Sequence, residues 1–123
     1  MKEDLSPKEL IKVREAALLL TQSLHKHITI PELSIMVNLT EKKLTSGFMR
    51  LYNSGIHEYL VNARLESVKE MLLQDLPLKW IAVKIGYKDK SSLIKVFRNK
   101  FGVTPGEWKK QQATRIINEV KRG

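Results

Sequence analysis

Residues 80–108 read WIAVKIGYKDKSSLIKVFRNKFGVTPGEW, and this stretch decides the fold. The apolar spacing over residues 78–85 predicts a short helix that ends at Gly86, a residue suited to the left-handed conformation at a helix end. Asp89 offers an N-cap for a second helix that runs to about Lys100. Two short helices joined by a tight turn follow the helix-turn-helix plan.

The same pattern occurs earlier in the chain, at an offset of 49 residues. A short helix is predicted from about Pro31 to Asn38, and Thr40 caps a second helix from about Glu41 to Tyr52. The offset aligns Leu44 with Leu93, Phe48 with Phe97, Tyr52 with Phe101, Asn53 with Gly102, and Tyr59 with Trp108. The sequence therefore predicts two similar helix-turn-helix units.

Helical spacing extends over almost the whole chain, so we predict an all-α protein with about seven helices in two helix-turn-helix subdomains joined by a long connecting helix. The predicted boundaries are residues 1–56 for the first subdomain with its N-terminal helix, 57–76 for the connecting helix, 77–112 for the second subdomain, and 113–123 for a C-terminal tail that either extends the last helix or frays. The N-terminal helix is expected to start after Ser6-Pro7, an N-cap and first-turn pair, and to reach about Lys26.

Several individual side chains carry structural expectations. We expect Leu51 to be buried beside Leu44 and Phe48, and Arg64 to pair with a carboxylate that braces the two units. The aromatic residues Trp80, Tyr87 and Trp108 are expected in the core or at joints between elements rather than stacked on bases.

The composition excludes several classes of protein. The chain has 123 residues and no cysteine, so it has no disulfide, thiolate zinc site or cysteine nucleophile. Its apolar runs are shorter than a membrane span, and the first residues do not resemble a signal peptide, so we expect a cytoplasmic protein. No catalytic set can be assembled and His25 and His27 lack companion ligands, so we predict neither an enzyme nor a cofactor or metal.

The positive charge is concentrated in the second half of the chain. Residues 1–76 carry ten basic and ten acidic side chains, whereas residues 77–123 carry twelve basic and three acidic ones. The formal charge of +9 thus lies in the last 47 residues. Such asymmetry indicates a polyanionic partner, with nucleic acid first and an anionic membrane second.

The second helix of each unit supplies the candidate DNA-binding residues. Side chains opposite the buried face can contact bases or phosphates. In the second unit these are Lys90, Ser91, Ser92, Ile94, Lys95 and Arg98, of which Ile94 is suited to a thymine methyl group. In the first unit they are Lys42, Lys43, Thr45, Ser46 and Arg50, with Lys43 and Arg50 assigned to the DNA backbone.

In its sequence, the chain resembles the DNA-binding domain of the AraC/XylS family of bacterial transcription regulators over about Leu10 to Lys109. Residues 80–108 are similar to the family signature IA...GF.d.s.F...F...G.TP..yR. The sequence departs from the family pattern at Asn53 in place of glycine, Leu93 in place of an aromatic residue, and Trp108-Lys109 in place of Tyr-Arg.

The resemblance implies that the third and sixth helices enter adjacent major grooves of promoter DNA, and that the protein recruits or blocks RNA polymerase. Any effector would bind a sensor domain, for which this chain has no room, so we expect a stand-alone regulator or a fragment of a longer one. The alternative is a helical protein that binds nucleic acid or an anionic membrane through charge alone.

Overall fold

The computed structural model describes residues 4–122, and this part of the chain folds into seven α-helices without a strand. The predicted all-α class is therefore confirmed. No helix in the described range is long and apolar enough to cross a membrane. The helices are α1 Pro7–Gln22, α2 Ile30–Val37, α3 Glu41–Tyr52, α4 Ile56–Leu73, α5 Leu78–Ile85, α6 Lys90–Phe101 and α7 Pro105–Arg122.

The chain divides into two compact units, and the boundary falls inside α4 between Arg64 and Leu65. The first unit contains α1, α2 and α3 with the first half of α4. The second contains the rest of α4 with α5, α6 and α7. Each unit therefore holds one of the two predicted helix pairs.

In the first unit, α1 packs on both α2 and α3, and α2 packs on α3. The aromatic rings at the end of this core form a cluster, in which the ring centroids of Phe48 and Tyr59 are 5.4 Å apart and those of Tyr52 and Tyr59 are 4.8 Å apart. The buried apolar residues of this unit are Leu5, Val13, Ala16, Ala17, Leu20, Leu33, Val37, Leu44, Phe48, Ile56 and Leu60.

The close approach of α1 and α3 depends on Gly47. A Cβ atom added at Gly47 would lie 2.4 Å from Cγ2 of Val13, a side chain with no exposed surface. Glycine in a helix interior costs about 1 kcal/mol relative to alanine. This cost is the consequence of bringing the backbone of α3 against a β-branched side chain that has little freedom to move.

The second unit repeats this plan, with α5 packed on α6 and α6 packed on α7. Its aromatic cluster contains the repeat-equivalent residues, since Phe97 lies 4.6 Å from Phe101 and 6.3 Å from Trp108 between ring centroids. The ammonium group of Lys69 lies 3.8 Å from the centroid of Phe101. Trp108 therefore closes the second unit as Tyr59 closes the first.

The end of α1 differs from the prediction. The helix stops at Gln22 rather than near Lys26, and Ser23 leaves the helical conformation with φ −135° and ψ 50°. Arg64, which is buried in α4, donates hydrogen bonds from Nε to the carbonyl of Leu24 at 2.7 Å and from Nη2 to that of Lys26 at 3.0 Å. We predicted that a carboxylate would accept hydrogen bonds from Arg64. This prediction was wrong for these two bonds, because main-chain carbonyls in the turn after α1 accept them.

Two burial predictions were also wrong. Leu51 is 39% exposed, because the core face of α3 is already filled by Leu44, Gly47 and Phe48. Trp80 is 48% exposed, because Ile81, Ala82 and Ile85 occupy the buried side of α5. Beyond residue 112, where the sequence has no strong signal, α7 continues to Arg122.

Replacement of Gly47 by alanine tests the packing of α1 on α3. We expect Gly47→Ala to lower the free energy of unfolding, because overpacking a filled core costs about 1 to 3 kcal/mol and outweighs a gain in helix propensity of about 1 kcal/mol. Denaturant unfolding followed by circular dichroism measures the change.

Gly106→Ala is the matched control, because a Cβ at Gly106 meets nothing within 4 Å. This variant should be at least as stable as the original chain. The pair Val13→Ala and Gly47→Ala should be more stable than the sum of the two single changes predicts. Additive effects, or a stabilised Gly47→Ala, would contradict the proposed close contact.

Candidate nucleic-acid interface

The turn between α2 and α3 is built around Asn38. This residue ends α2 in the left-handed region with φ 55° and ψ 53°. The amide of the next residue, Leu39, donates to the carbonyl of Ser34 at 3.0 Å, and Leu39 packs against the core of the first unit. Thr40 then caps α3 by accepting the amide of Lys43 at 3.2 Å.

The turn between α5 and α6 has the same construction. Gly86 adopts φ 103°, and the amide of Tyr87 donates to the carbonyl of Ala82 at 2.8 Å. Asp89 caps α6 by accepting the amide of Ser92 at 2.8 Å and its hydroxyl at 2.9 Å. Both turns therefore pair a left-handed residue with a partly buried residue and a side-chain cap, which is the geometry of a helix-turn-helix.

The cap of α6 also affects the pKa of Asp89. The backbone amide of Ser92, followed by its hydroxyl, stabilises the carboxylate and lowers this pKa below the ordinary value. Ser92 was predicted to contact DNA, but its hydroxyl belongs to this cap. The start of α6 is thus held by a charged acceptor at the positive end of the helix dipole.

One face of α6 gathers most of the predicted residues of the second unit. Four of them recur at the spacing of a single helical face, and none is engaged in a described ion pair. These four residues are Ser91, Ile94, Lys95 and Arg98. Together with Asn99, they line a shallow concave surface of about 460 Å³. Lys90 lies in the first turn of α6 and is exposed. This face carries cations, a hydroxyl and an apolar group together.

The outward face of α3 is less charged. Lys42, Thr45 and Arg50 are exposed, and Ser46 is half-buried. These positions correspond to Ser91, Ile94, Asn99 and Lys95 at the 49-residue offset. The structure therefore places the predicted residues of both helices on equivalent faces, with short polar side chains at the centre of α3 and longer ones at the centre of α6.

Lys43 differs from the other predicted residues, because its ammonium group contacts Glu9 on α1 with 2.6 Å between Nζ and Oε2. Glu9 is also the third residue of a capping box, since its carboxylate accepts the amide of Ser6 at 3.0 Å. The hydrogen bond from Lys43, followed by that from the Ser6 amide, lowers the pKa of Glu9 to about 2. Lys43 therefore ties the first turn of α3 to the first turn of α1.

Two residues on these faces were not among the predicted DNA-binding residues. Asn99 lies on the concave surface of α6, and its position eight residues after Ser91 gives the signal that could have found it. Met49 is exposed on α3 and is the repeat equivalent of Arg98. Asparagine can bond an adenine edge, and an apolar side chain can contact a thymine methyl group.

Two histidines follow α1, and histidine is a common metal ligand. His25 and His27 are both exposed. The described residues 4–122 hold no group of three or more His, Asp or Glu side chains that could bind a metal ion.

Comparison with known proteins gives consistent matches. The sequence model of a family described as a helix-turn-helix domain matches residues 33–111. The chain is 31% identical over 88 residues to the transcriptional regulator GadX of Escherichia coli, covering 71% of this chain and 30% of GadX. It is 30% identical over 83 residues to a putative AraC-like transcription regulator of Streptomyces antibioticus, covering 67% of this chain and 27% of that protein.

The chain spans about a third of the length of the curated relatives that it matches. Among solved structures, the DNA-binding domain of the transcriptional factor AdpA in complex with a target DNA has a TM-score of 0.76 at 18% identity. The match covers 85% of this chain and 95% of that one. The similarity to AdpA is therefore a similarity of fold.

The pair formed by Glu9 and Lys43 predicts a pH dependence of stability. Because folding lowers the pKa of Glu9 from 4.5 to about 2, its contribution is fully present above about pH 4.5 and is lost as the pH falls through about 2. The melting temperature of the original chain should therefore fall more steeply between pH 5 and pH 2.5 than that of Glu9→Gln, which keeps the capping box.

Thermal unfolding followed by circular dichroism at several pH values measures this difference. Glu15→Gln serves as the control, since Glu15 is exposed on the same helix. The control should follow the original chain. Identical pH profiles for the original chain and Glu9→Gln would show that the ion pair does not stabilise the first unit.

Proposed function

Because the chain belongs to the AraC/XylS type of helix-turn-helix family, we propose that it is a transcription regulator that binds double-stranded DNA in a sequence-specific way. The observation that carries this proposal is the repeated turn geometry at Asn38 and Gly86, each of which leads into a capped helix with a polar outward face. In this proposal, α3 and α6 enter successive major grooves of a promoter site. A capped α-helix fits a groove about 12 Å wide.

The face of α6 is suited to base contacts. Arg98 and Lys95 are exposed and can donate to the acceptor edge of guanine or to phosphate oxygens. Ile94 offers an apolar contact for a thymine methyl group, and Ser91 can bond either a base or the backbone. Lys90, at the start of α6, is placed for a phosphate because the helix N-terminus itself attracts anions.

The face of α3 would contact DNA with fewer positively charged side chains at its centre than the face of α6. Thr45 and Ser46 are short hydroxyl side chains, which contact bases only when the helix lies deep in the groove. Lys42 at the start of the face can contact a base or a phosphate, and Arg50 at its end is assigned to the backbone. Lys43 is assigned there too, but its bond to Glu9 must exchange or be shared when it meets a phosphate.

Binding through charge alone is the competing function. A basic helical protein without sequence preference needs no matched turns, no capped recognition helices and no repeat of the aromatic cluster. All three features support the sequence-specific proposal. In this proposal the protein is cytoplasmic and is associated with the nucleoid through DNA. RNA polymerase is a further proposed partner, and no catalytic activity is expected.

Selection from random duplexes tests the proposed function. Repeated rounds of binding and amplification should yield one asymmetric site of about 20 base pairs, the length of two helical turns. Recovery of duplexes without a shared sequence, together with a steep loss of binding in salt, would support the charge-only alternative. Competition by unrelated duplexes separates specific from general affinity.

The division of charge predicts a ranking among substitutions. Arg98→Ala and Lys95→Ala should each weaken binding to the selected site by about 1 to 3 kcal/mol if a base contact is lost, and by more than Ser46→Ala. Fluorescence anisotropy over a range of salt concentrations measures both the affinity and its salt dependence.

Lys121→Ala is a matched control for the loss of one positive charge, because Lys121 is exposed at the far end of α7. It should keep most of the affinity. Equal small losses at Arg98, Lys95 and Ser46 would contradict the ranking and the role assigned to α6.

A further inference from the structure

The outward faces of α3 and α6 can be compared residue by residue, because the two helices occupy equivalent places in the repeat. Each helix has 12 residues, and the bounds Glu41–Tyr52 and Lys90–Phe101 differ by the 49-residue offset at both ends. Their side-chain caps and their left-handed end residues differ by the same offset. Two residues that are 49 positions apart therefore lie at the same height and angle on their own helices.

The residues that line the concave surface of α6 thus have equivalents on α3, which are Lys42, Thr45, Ser46, Met49 and Arg50. Behind each face lie a fully buried leucine and a fully buried phenylalanine, again at equivalent positions. The two faces therefore differ in the chemistry of their outward side chains and not in their local construction.

The largest chemical difference between the faces is at the pair Met49 and Arg98. Both side chains are exposed, and Met49 exposes 53% of its surface. The guanidinium group of Arg98 presents N–H donors in a geometry that matches the O6 and N7 acceptors of guanine. Met49 has no donor, so against a guanine edge it would exclude water from both acceptors and return no hydrogen bond. Met49 is therefore unsuited to the base that suits Arg98.

The methyl group of thymine is the apolar part of the base edges in the major groove. Methionine is unbranched and flexible, so it can adjust to such a surface. Burial of one methyl-sized group strengthens binding about fourfold. Thr45 lies one turn before Met49 on the same face and adds a methyl group of its own. The middle of the α3 face thus offers apolar contact, with the cations Lys42 and Arg50 toward its ends.

We propose that Met49 selects an A·T pair by contacting its thymine methyl group, at the position in the α3 half-site where Arg98 selects a G·C pair in the α6 half-site. A half-site here means the base pairs that one of the two helices contacts. The selection of thymine rests on the proposed function, since it requires that α3 enters a major groove. Because equivalent positions demand different base pairs, the site has a direction, and exchange of the two half-sites weakens binding.

Uracil tests the methyl contact directly, because it keeps the hydrogen-bonding edge of thymine and lacks only the methyl group. We expect one thymine of the selected duplex at which replacement by uracil weakens binding by the original chain about fourfold. The same replacement should cost almost nothing in Met49→Ala. Such a double-mutant cycle isolates the contact between the two altered groups. Fluorescence anisotropy with each thymine replaced in turn measures the affinities.

Met36→Ala is the matched control, because Met36 is also 53% exposed but lies on α2. The cost of uracil should remain about fourfold in this variant. It should also remain in Thr45→Ser, which removes the neighbouring methyl group and keeps the hydroxyl. A cost of uracil that disappears in Thr45→Ser and persists in Met49→Ala would assign the contact to Thr45 and overturn the role of Met49.

Exchange of the side chain tests the choice of base pair. Met49→Arg should favour G·C over A·T about tenfold at this position, as expected for one bidentate contact with guanine. Met49→Leu stays apolar and should keep the preference for A·T. The preference is the ratio of the affinities for two duplexes that differ at this one pair, so the general attraction from the added charge cancels. Circular dichroism checks that each variant is folded.

Failure of thymine selection can be told apart from failure of the proposed function. A selected site without a Met49-dependent thymine, or an unchanged preference in Met49→Arg, would overturn thymine selection and leave the proposed function standing. Selection that yields duplexes without a shared sequence would overturn the proposed function and thymine selection together.

Discussion

The fold depends on one left-handed residue between the two helices of each unit. At Asn38 and Gly86 the chain turns with positive φ, and the amide of the following residue returns to a carbonyl of the first helix. A left-handed conformation costs most residues about 1 to 2 kcal/mol, and glycine and asparagine bear it best. This turn sets where the second helix begins, so it also decides which side chains of α3 and α6 face outward.

The two units are similar in construction but differ in the positive charge on their outward helix faces. The concave face of α6 carries Lys95 and Arg98, whereas the centre of α3 carries Thr45 and Ser46. Lys43 does not compensate for the lower positive charge of the α3 face, because it binds Glu9 and so joins α3 to α1. Electrostatic attraction to DNA would therefore act mainly through the second unit, and the first unit would depend on shape and short-range contacts.

Local signals were enough to predict the helix-turn-helix elements but not the contacts between distant parts of the chain. The bounds of α3 agree with the sequence because Thr40 caps its start and the left-handed Asn53 ends it. Those of α5 agree because Pro77 precedes its start and the left-handed Gly86 ends it. The end of α1 does not, because Arg64, some 40 residues later, binds the carbonyls that follow it. Leu51 and Trp80 have the composition of core residues, yet the buried side of each helix is already filled by neighbours.

The polar faces of α3 and α6 followed from the repeat, and the helical spacing from Ser91 also indicates Asn99. The bond between Glu9 and Lys43 required the three-dimensional structure. Hydroxyl-radical footprinting on the selected site tests whether α3 and α6 both contact DNA. We expect two protected segments about one helical turn, or roughly 10 base pairs, apart on one side of the duplex. Arg98→Ala should weaken one segment more than the other. A single protected segment, or uniform protection without a preferred position, would contradict this expectation.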